Sequence, residues 1–196
     1  MSVTRRQVVP AAVAGIVVAV ISVVVGIWVA TVIDDSPPID GEVVLDEPGI
    51  YDQPVDELNA SVVGVAVPST ALVDAAGAEV DLGTHRGGPM VINLWFSRCA
   101  PCQRELKDFA EVHAEVGDRV RFVGVDPFDT VEAMEQFAAA RGVTYELLRD
   151  PERAFTNEIG VVAFPVTLFV DGAGRIVRQT GAIDADELRS IIADTF

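Results

Sequence analysis

The chain has 196 residues, half of them hydrophobic, with 30 acidic against 14 basic side chains and a formal net charge of −16 at pH 7. All of the acidic residues and 12 of the basic ones follow Ile33, a balance of −18 that excludes nucleic acid and anionic lipid headgroups as partners of that part. Two cysteines and two histidines are the whole stock of N and S ligands, which leaves little room for metal chemistry.

Arg5 and Arg6 precede an uncharged, largely apolar run from Gln7 to Ile33, closed by Asp34 and Asp35. A helix of about 20 apolar residues crosses a bilayer, so residues 1–33 read as a cytoplasmic N-terminus and a single transmembrane anchor, with everything after Asp34 outside by the positive-inside rule. A cleaved signal peptide is the alternative. Its apolar core is usually 7–15 residues with a small-x-small cleavage site, whereas this run is longer and leaves through Trp28-Val29-Ala30-Thr31. Thr4-Arg5-Arg6-Gln7 also resembles a twin-arginine signal, though a bare arginine pair says little. Either way the cysteines meet an oxidising compartment. Residues 34–60 are acidic, carry Pro37, Pro38, Pro48 and Pro54, and read as a tether. Residues 61–196 suffice for one domain with its own core.

Within that domain, Thr70–Val73 and Glu79–Leu82 around Ala76-Gly77 predict a leading hairpin. Met90–Phe96 is a strand buried on both faces. Cys99-Ala-Pro-Cys102 then opens a helix marked by Leu106, Phe109, His113 and Val116. Val120–Val125 is a second core strand, followed by a helix through Val131, Met134, Phe137, Ala138 and Arg141. Asp150-Pro151 predicts the start of a short helix. Val166–Val170 and Arg175–Thr180 form a hairpin across Asp171-Gly-Ala-Gly174, and the last helix opens with Asp184 and Glu187 in capping-box spacing. This order predicts an α/β fold with a central mixed sheet flanked by helices.

The chemistry concentrates at Cys99 and Cys102. A thiol in the first turn of a helix faces unpaired N–H groups and the positive end of the macrodipole, which favour thiolate. Cys99 is then the attacking sulfur and Cys102, one turn in, the resolving one; Pro101 suits a first-turn position that needs no N–H. Arg98, Arg104 and Lys107 form a local cationic patch that favours thiolate, although ordinary solvated positions explain them equally. His113 lies eleven residues beyond Cys102, roughly 16 Å along the helix, too far to share a metal, and reads as a core-edge histidine. His85, in the stretch Thr84–Gly88, reads as a solvated loop residue. A purely structural disulfide here would close too short a loop to stabilise much.

Asn93-Leu-Trp95-Phe before the CxxC, the CxxC itself, Gly124-Val125-Asp126 and Phe164-Pro165-Val166-Thr167 together resemble the thioredoxin-like proteins of the TlpA/ResA/DsbE type. The resemblance runs from about Val65 to the C-terminus. It implies a thioredoxin-like fold, a membrane-tethered thiol–disulfide oxidoreductase, no cofactor beyond the redox-active disulfide, and a cis Pro165 beside it, so that the backbone near Phe164 pairs with an extended substrate. It also implies client proteins with thiols or disulfides, such as apocytochrome c, and recharging by an integral-membrane thiol carrier. Trp95 and Phe164 fall among the residues that shape the groove. Two departures bear on partner choice. Arg98 stands where relatives carry tryptophan. Asp129 occupies the place of an acidic residue often found in the cytochrome c branch, yet Asp129 with Glu132 has capping-box spacing, the reading favoured here.

Within the oxidoreductase reading, an oxidant that installs disulfides would use the same residues as a reductant. Two other classes fit less well. A peroxiredoxin needs threonine or serine and proline packed before its cysteine, where this chain has Phe96-Ser97-Arg98. A copper-delivery protein of the Sco type wants three residues between the cysteines and a nearby histidine.

Overall fold

The computed structural model describes residues 58–196; the anchor and most of the tether read from the sequence lie outside the described residues. Among the described residues no helix is long and apolar enough to cross a membrane. Seven strands form one mixed sheet in the order β2-β1-β5-β4-β3-β6-β7. They are β1 (Ala71–Val73), β2 (Glu79–Asp81), β3 (Met90–Leu94), β4 (Arg121–Asp126), β5 (Glu146–Arg149), β6 (Val166–Val170) and β7 (Ile176–Thr180), accompanied by helices α1 (Ala100–Val116), α2 (Val131–Ala139), α3 (Ala154–Glu158) and α4 (Ala185–Thr195).

β3 occupies the inside of the sheet, parallel to β4 and antiparallel to β6, and all five of its residues are buried. Alternation divides them between two cores. Met90, Ile92 and Leu94 join Val123, Val125, Leu168, Val170 and Phe155 on one side. Val91 joins Phe109, Val112, Phe122, Phe169, Leu188 and Ile191 on the other, where α1 and α4 pack. A strand with no solvent face favours apolar side chains, which is why four of these five residues are apolar and Asn93 is the one polar member.

The hairpins form where expected, each with an aspartate organising its turn. Asp74 Oδ1 accepts from the N–H groups of Ala76 and Ala78, and Asp171 Oδ1 from those of Ala173 and Arg175. Asp184 caps α4 through the Glu187 N–H at 2.9 Å. β5 has no counterpart in the sequence reading: only Leu147 and Leu148 are apolar, between Glu146 and Arg149. Its register comes from its neighbours, parallel to β4 and bridged to β1.

Two sequence expectations are corrected. The short helix begins at Ala154 rather than at Asp150-Pro151, because a turn closed by Arg153 N–H to Asp150 O intervenes and Arg153 adopts a left-handed φ of 54°. From that turn the Asp150 carboxylate still reaches the Phe155 and Thr156 N–H groups at 3.3 and 2.8 Å and the Thr156 hydroxyl at 2.6 Å. The acid therefore caps the helix from outside it. His85 is half-buried rather than a solvated loop residue, its ring nitrogens 3.0 Å from Gly88 O and 3.2 Å from Arg121 Nη1.

Asp150→Ala removes acceptors from three donors at or near full burial. The expected loss is about 1–3 kcal/mol of unfolding free energy, read as a lower urea midpoint at unchanged slope.

Candidate active site

The end of β3 delivers the chain into Phe96-Ser97-Arg98, and Cys99 follows as the N-cap of α1. Cys99 and Cys102 form a disulfide with a Cα–Cα distance of 5.2 Å. The Cys102 N–H points at Cys99 Sγ from 3.3 Å, so the sulfur occupies the place of a capping oxygen. When the bridge is reduced, that N–H and the helix dipole favour a thiolate at Cys99. Pro101 sits in the first turn, where its missing N–H costs nothing. Cys99 keeps 6% of its surface exposed and Cys102 none, so an incoming molecule can meet only the first sulfur.

Both cysteines pack in a small core with Trp95, Leu106, Met134 and Ala138, against which Phe96, Phe137 and Phe164 lean. Trp95 is fully buried, stacks on Phe137 at 5.5 Å and has no hydrogen-bond partner for its Nε1. Gly124 makes room for it: a Cβ there would lie 2.7 Å from the indole nitrogen. Above the disulfide, Phe96, Phe128 and Phe164 meet edge to face with centroids 4.9–5.6 Å apart. Phe128 is 47% exposed and Val162 74%, giving the rim an apolar surface. The Phe164–Pro165 bond is cis, and Pro165 lies one residue beyond the Leu94–Val166 pair that ends the β3–β6 ladder.

Beneath the disulfide lies a polar layer that the sequence reading missed. Glu105 is 3% exposed, on the same stripe of α1 as Cys102, and accepts from Asn93 Nδ2 at 2.9 Å and from the Ile183 N–H at 3.4 Å. Asn93 Nδ2 also donates to Thr167 Oγ1 at 3.1 Å. Burial pushes the Glu105 carboxyl up to about 8, against the lowering effect of these hydrogen bonds. The available signal was a glutamate three residues after Cys102 in the buried register of an amphipathic helix.

Asp129 is not the cap of α2. Thr130 takes that place, accepting from the Ala133 N–H at 3.3 Å, and the freed Asp129 carboxylate turns to the loop before Cys99. There it accepts from the Ser97 N–H at 2.6 Å and the Ser97 hydroxyl at 2.8 Å. Partial burial opposes ionisation of Asp129, but hydrogen bonds from Asp126 and Ser97 and the Arg98 charge hold its carboxyl below the ordinary range. Its neighbour Asp126 is pushed up, first by burial and then by the shared hydrogen bond. Arg98, Arg104 and Lys107 are all exposed, and Arg98 has Asp129 as a counter-charge. His113 stands apart in the second core, edge-on to Phe122 and Tyr145. Burial lowers its pKa. Among the described residues no cluster of three or more His, Cys, Asp or Glu side chains could hold a metal ion.

The profile of the AhpC/TSA family matches residues 63–179. The chain belongs to the AhpC/TSA family. It is 28% identical over 142 residues to the thiol-disulfide oxidoreductase ResA of Geobacillus thermodenitrificans, covering 71% of this chain and 82% of that one. It is 33% identical over 128 residues to the thiol:disulfide interchange protein HelX of Rhodobacter capsulatus, covering 63% and 70%. Among solved structures, a secreted Mycobacterium tuberculosis disulfide oxidoreductase homologous to E. coli DsbE superposes with a TM-score of 0.58 at 25% identity, over 64% of this chain and 96% of that one. This is a thioredoxin-like thiol–disulfide oxidoreductase, and its redox group is a disulfide of the chain itself.

Glu105 gives a pH test with a defined sign. A carboxyl raised on folding binds a proton more tightly in the native state, so the stability it contributes is fully present below about 4.5 and is lost as pH rises towards 8. Between pH 5 and 8 the oxidised wild type should therefore lose stability relative to Glu105→Gln by on the order of 2–4 kcal/mol, measured by urea unfolding at each pH.

Proposed function

We propose that this chain is a membrane-tethered, extracytoplasmic reductant of disulfides in client proteins, with Cys99 as the nucleophile and Cys102 as the resolving thiol. The exposure of Cys99 alone, beneath an N–H aimed at its sulfur, carries the assignment. The Cys99 thiolate attacks one sulfur of a client disulfide, a mixed disulfide forms, and the other client sulfur leaves as a thiolate. Cys102, once deprotonated, then attacks Cys99 Sγ. The second client thiol departs, and two electrons have passed from the enzyme dithiol to the client. An integral-membrane dithiol carrier restores the reduced form.

The client lies extended along Val162–Pro165, with apolar side chains against Phe128 and Phe164. The family resemblance makes apocytochrome c cysteines the leading client class. Arg98 at the mouth replaces the apolar docking surface of relatives with a charge and adds to the stabilisation of the Cys99 thiolate. The uncharged run from Gln7 to Ile33 supports the anchor and, by the arginines ahead of it, the extracytoplasmic placement.

Cys102→Ser should accumulate mixed disulfides with clients through Cys99, while Cys99→Ser should trap few; the reverse pattern would overturn the assignment. A Cys99–Cys102 potential below about −200 mV fits a reductant, and one near −120 mV an oxidant. For the anchor, full-length protein should remain in the membrane pellet after alkaline carbonate extraction, and release into the supernatant would refute it.

A further inference from the structure

Asn59 lies in the stretch read from sequence as tether, yet it is only 6% exposed. Its side chain holds two consecutive residues of the loop that leads into Phe164–Pro165. Oδ1 accepts from the Val162 N–H at 2.8 Å and the Ala163 N–H at 3.0 Å, and Nδ2 donates to Ala163 O at 2.9 Å. The amide thus makes the contacts a neighbouring strand would make, on backbone belonging to no ladder.

The segment that follows is fixed in turn along β7. Gln179 donates to Ala60 O and accepts from the Val62 N–H. Gly64 N–H donates to Ile176 O at 2.7 Å, Ile176 N–H to Val65 O at 2.9 Å, and Val67 N–H to Gly174 O at 3.0 Å. Asn59 therefore belongs to an anchored strap. The loop it grips has little of its own to fix it, since Val162 is 74% exposed and Ala163 and Phe164 are only half-buried. On the N-terminal side its nearest tie is Val161 N–H to Thr156 O at 3.0 Å.

We propose that Asn59 is a positioning residue for client binding: by holding Val162 and Ala163 it sets the backbone edge and apolar rim against which a client polypeptide lies beside Cys99. This rests on the reading that clients dock along Val162–Pro165. Asn59 touches neither sulfur and takes no part in the exchange step. Its loss should weaken the binding of extended peptides and leave the intrinsic reactivity of the dithiol alone.

The test uses the full-length protein in detergent and two oxidants: a disulfide-bonded model peptide and dithiobis(nitrobenzoate), which is too small to span the loop. Asn59→Ala should raise KM for the peptide about tenfold, the equivalent of about 1.4 kcal/mol. The rate with the small disulfide and the potential of the Cys99–Cys102 couple should stay at wild-type values. Asn59→Asp keeps both acceptor contacts but sets a carboxylate against Ala163 O, and should raise the peptide KM about threefold; it carries the test alone if the alanine variant folds poorly. An unchanged peptide KM in the folded variants, or an equal loss with both oxidants, overturns the role of Asn59. Wild-type protein that shows no preference for the peptide over the small disulfide would instead overturn the docking reading on which the inference rests.

Discussion

Strand β3 has no contact with solvent, and the geometry of the redox site is set where that strand ends. Hydrogen bonds to β4 on one side and β6 on the other fix its register, so the turn after Leu94 leaves the sheet at a defined point. The same β6 ladder that fixes Leu94 against Val166 places Pro165 at the edge of the site. Cys99 then closes the first turn of α1 with its sulfur where a serine or aspartate oxygen would normally sit. The capping interaction falls on the exposed sulfur of the redox pair, so forming the helix also sets that sulfur's surroundings.

Two acidic groups flank this sulfur pair and answer to different surroundings. Glu105 sits in the buried layer with Asn93 and Thr167, where an ionised carboxylate is costly, and it holds its proton through neutral pH. Asp129 stands at the partly open rim, with Ser97 donors and the Arg98 charge, and is ionised there. One carboxyl stays neutral inside the buried layer, and the other, charged, holds the loop that leads to Cys99.

Much of this was legible from residue order because the governing signals are local. The apolar run of β3, the CxxC after it and the Phe164-Pro165 pair each announce themselves within a few residues. β5 does not, because a strand four residues long with charged ends owes its pairing to β4 and β1. Glu105 was hidden because the helical pattern is found by its apolar members, and a buried acid looks like an interruption. For Asp129 the spacing to Glu132 fitted a capping box, but Thr130, one residue on, fits the cap as well, and only the nearness of Ser97 decides between them. Asn59 gave no sign at all. Its partners lie 103 and 104 residues away, and its own neighbourhood is acidic and proline-containing.

Secondary structure alone would mark the unit as running from β1 to α4, because every strand and helix described lies between Ala71 and Thr195. A fragment cut to those limits would keep the whole sheet and the disulfide. It would lack Val67 from the core, the backbone that lines β7, and the amide that grips the loop before Pro165. A boundary drawn from strands and helices alone thus cuts through both the core and the loop's support, and one that keeps these contacts reaches back at least to Asn59.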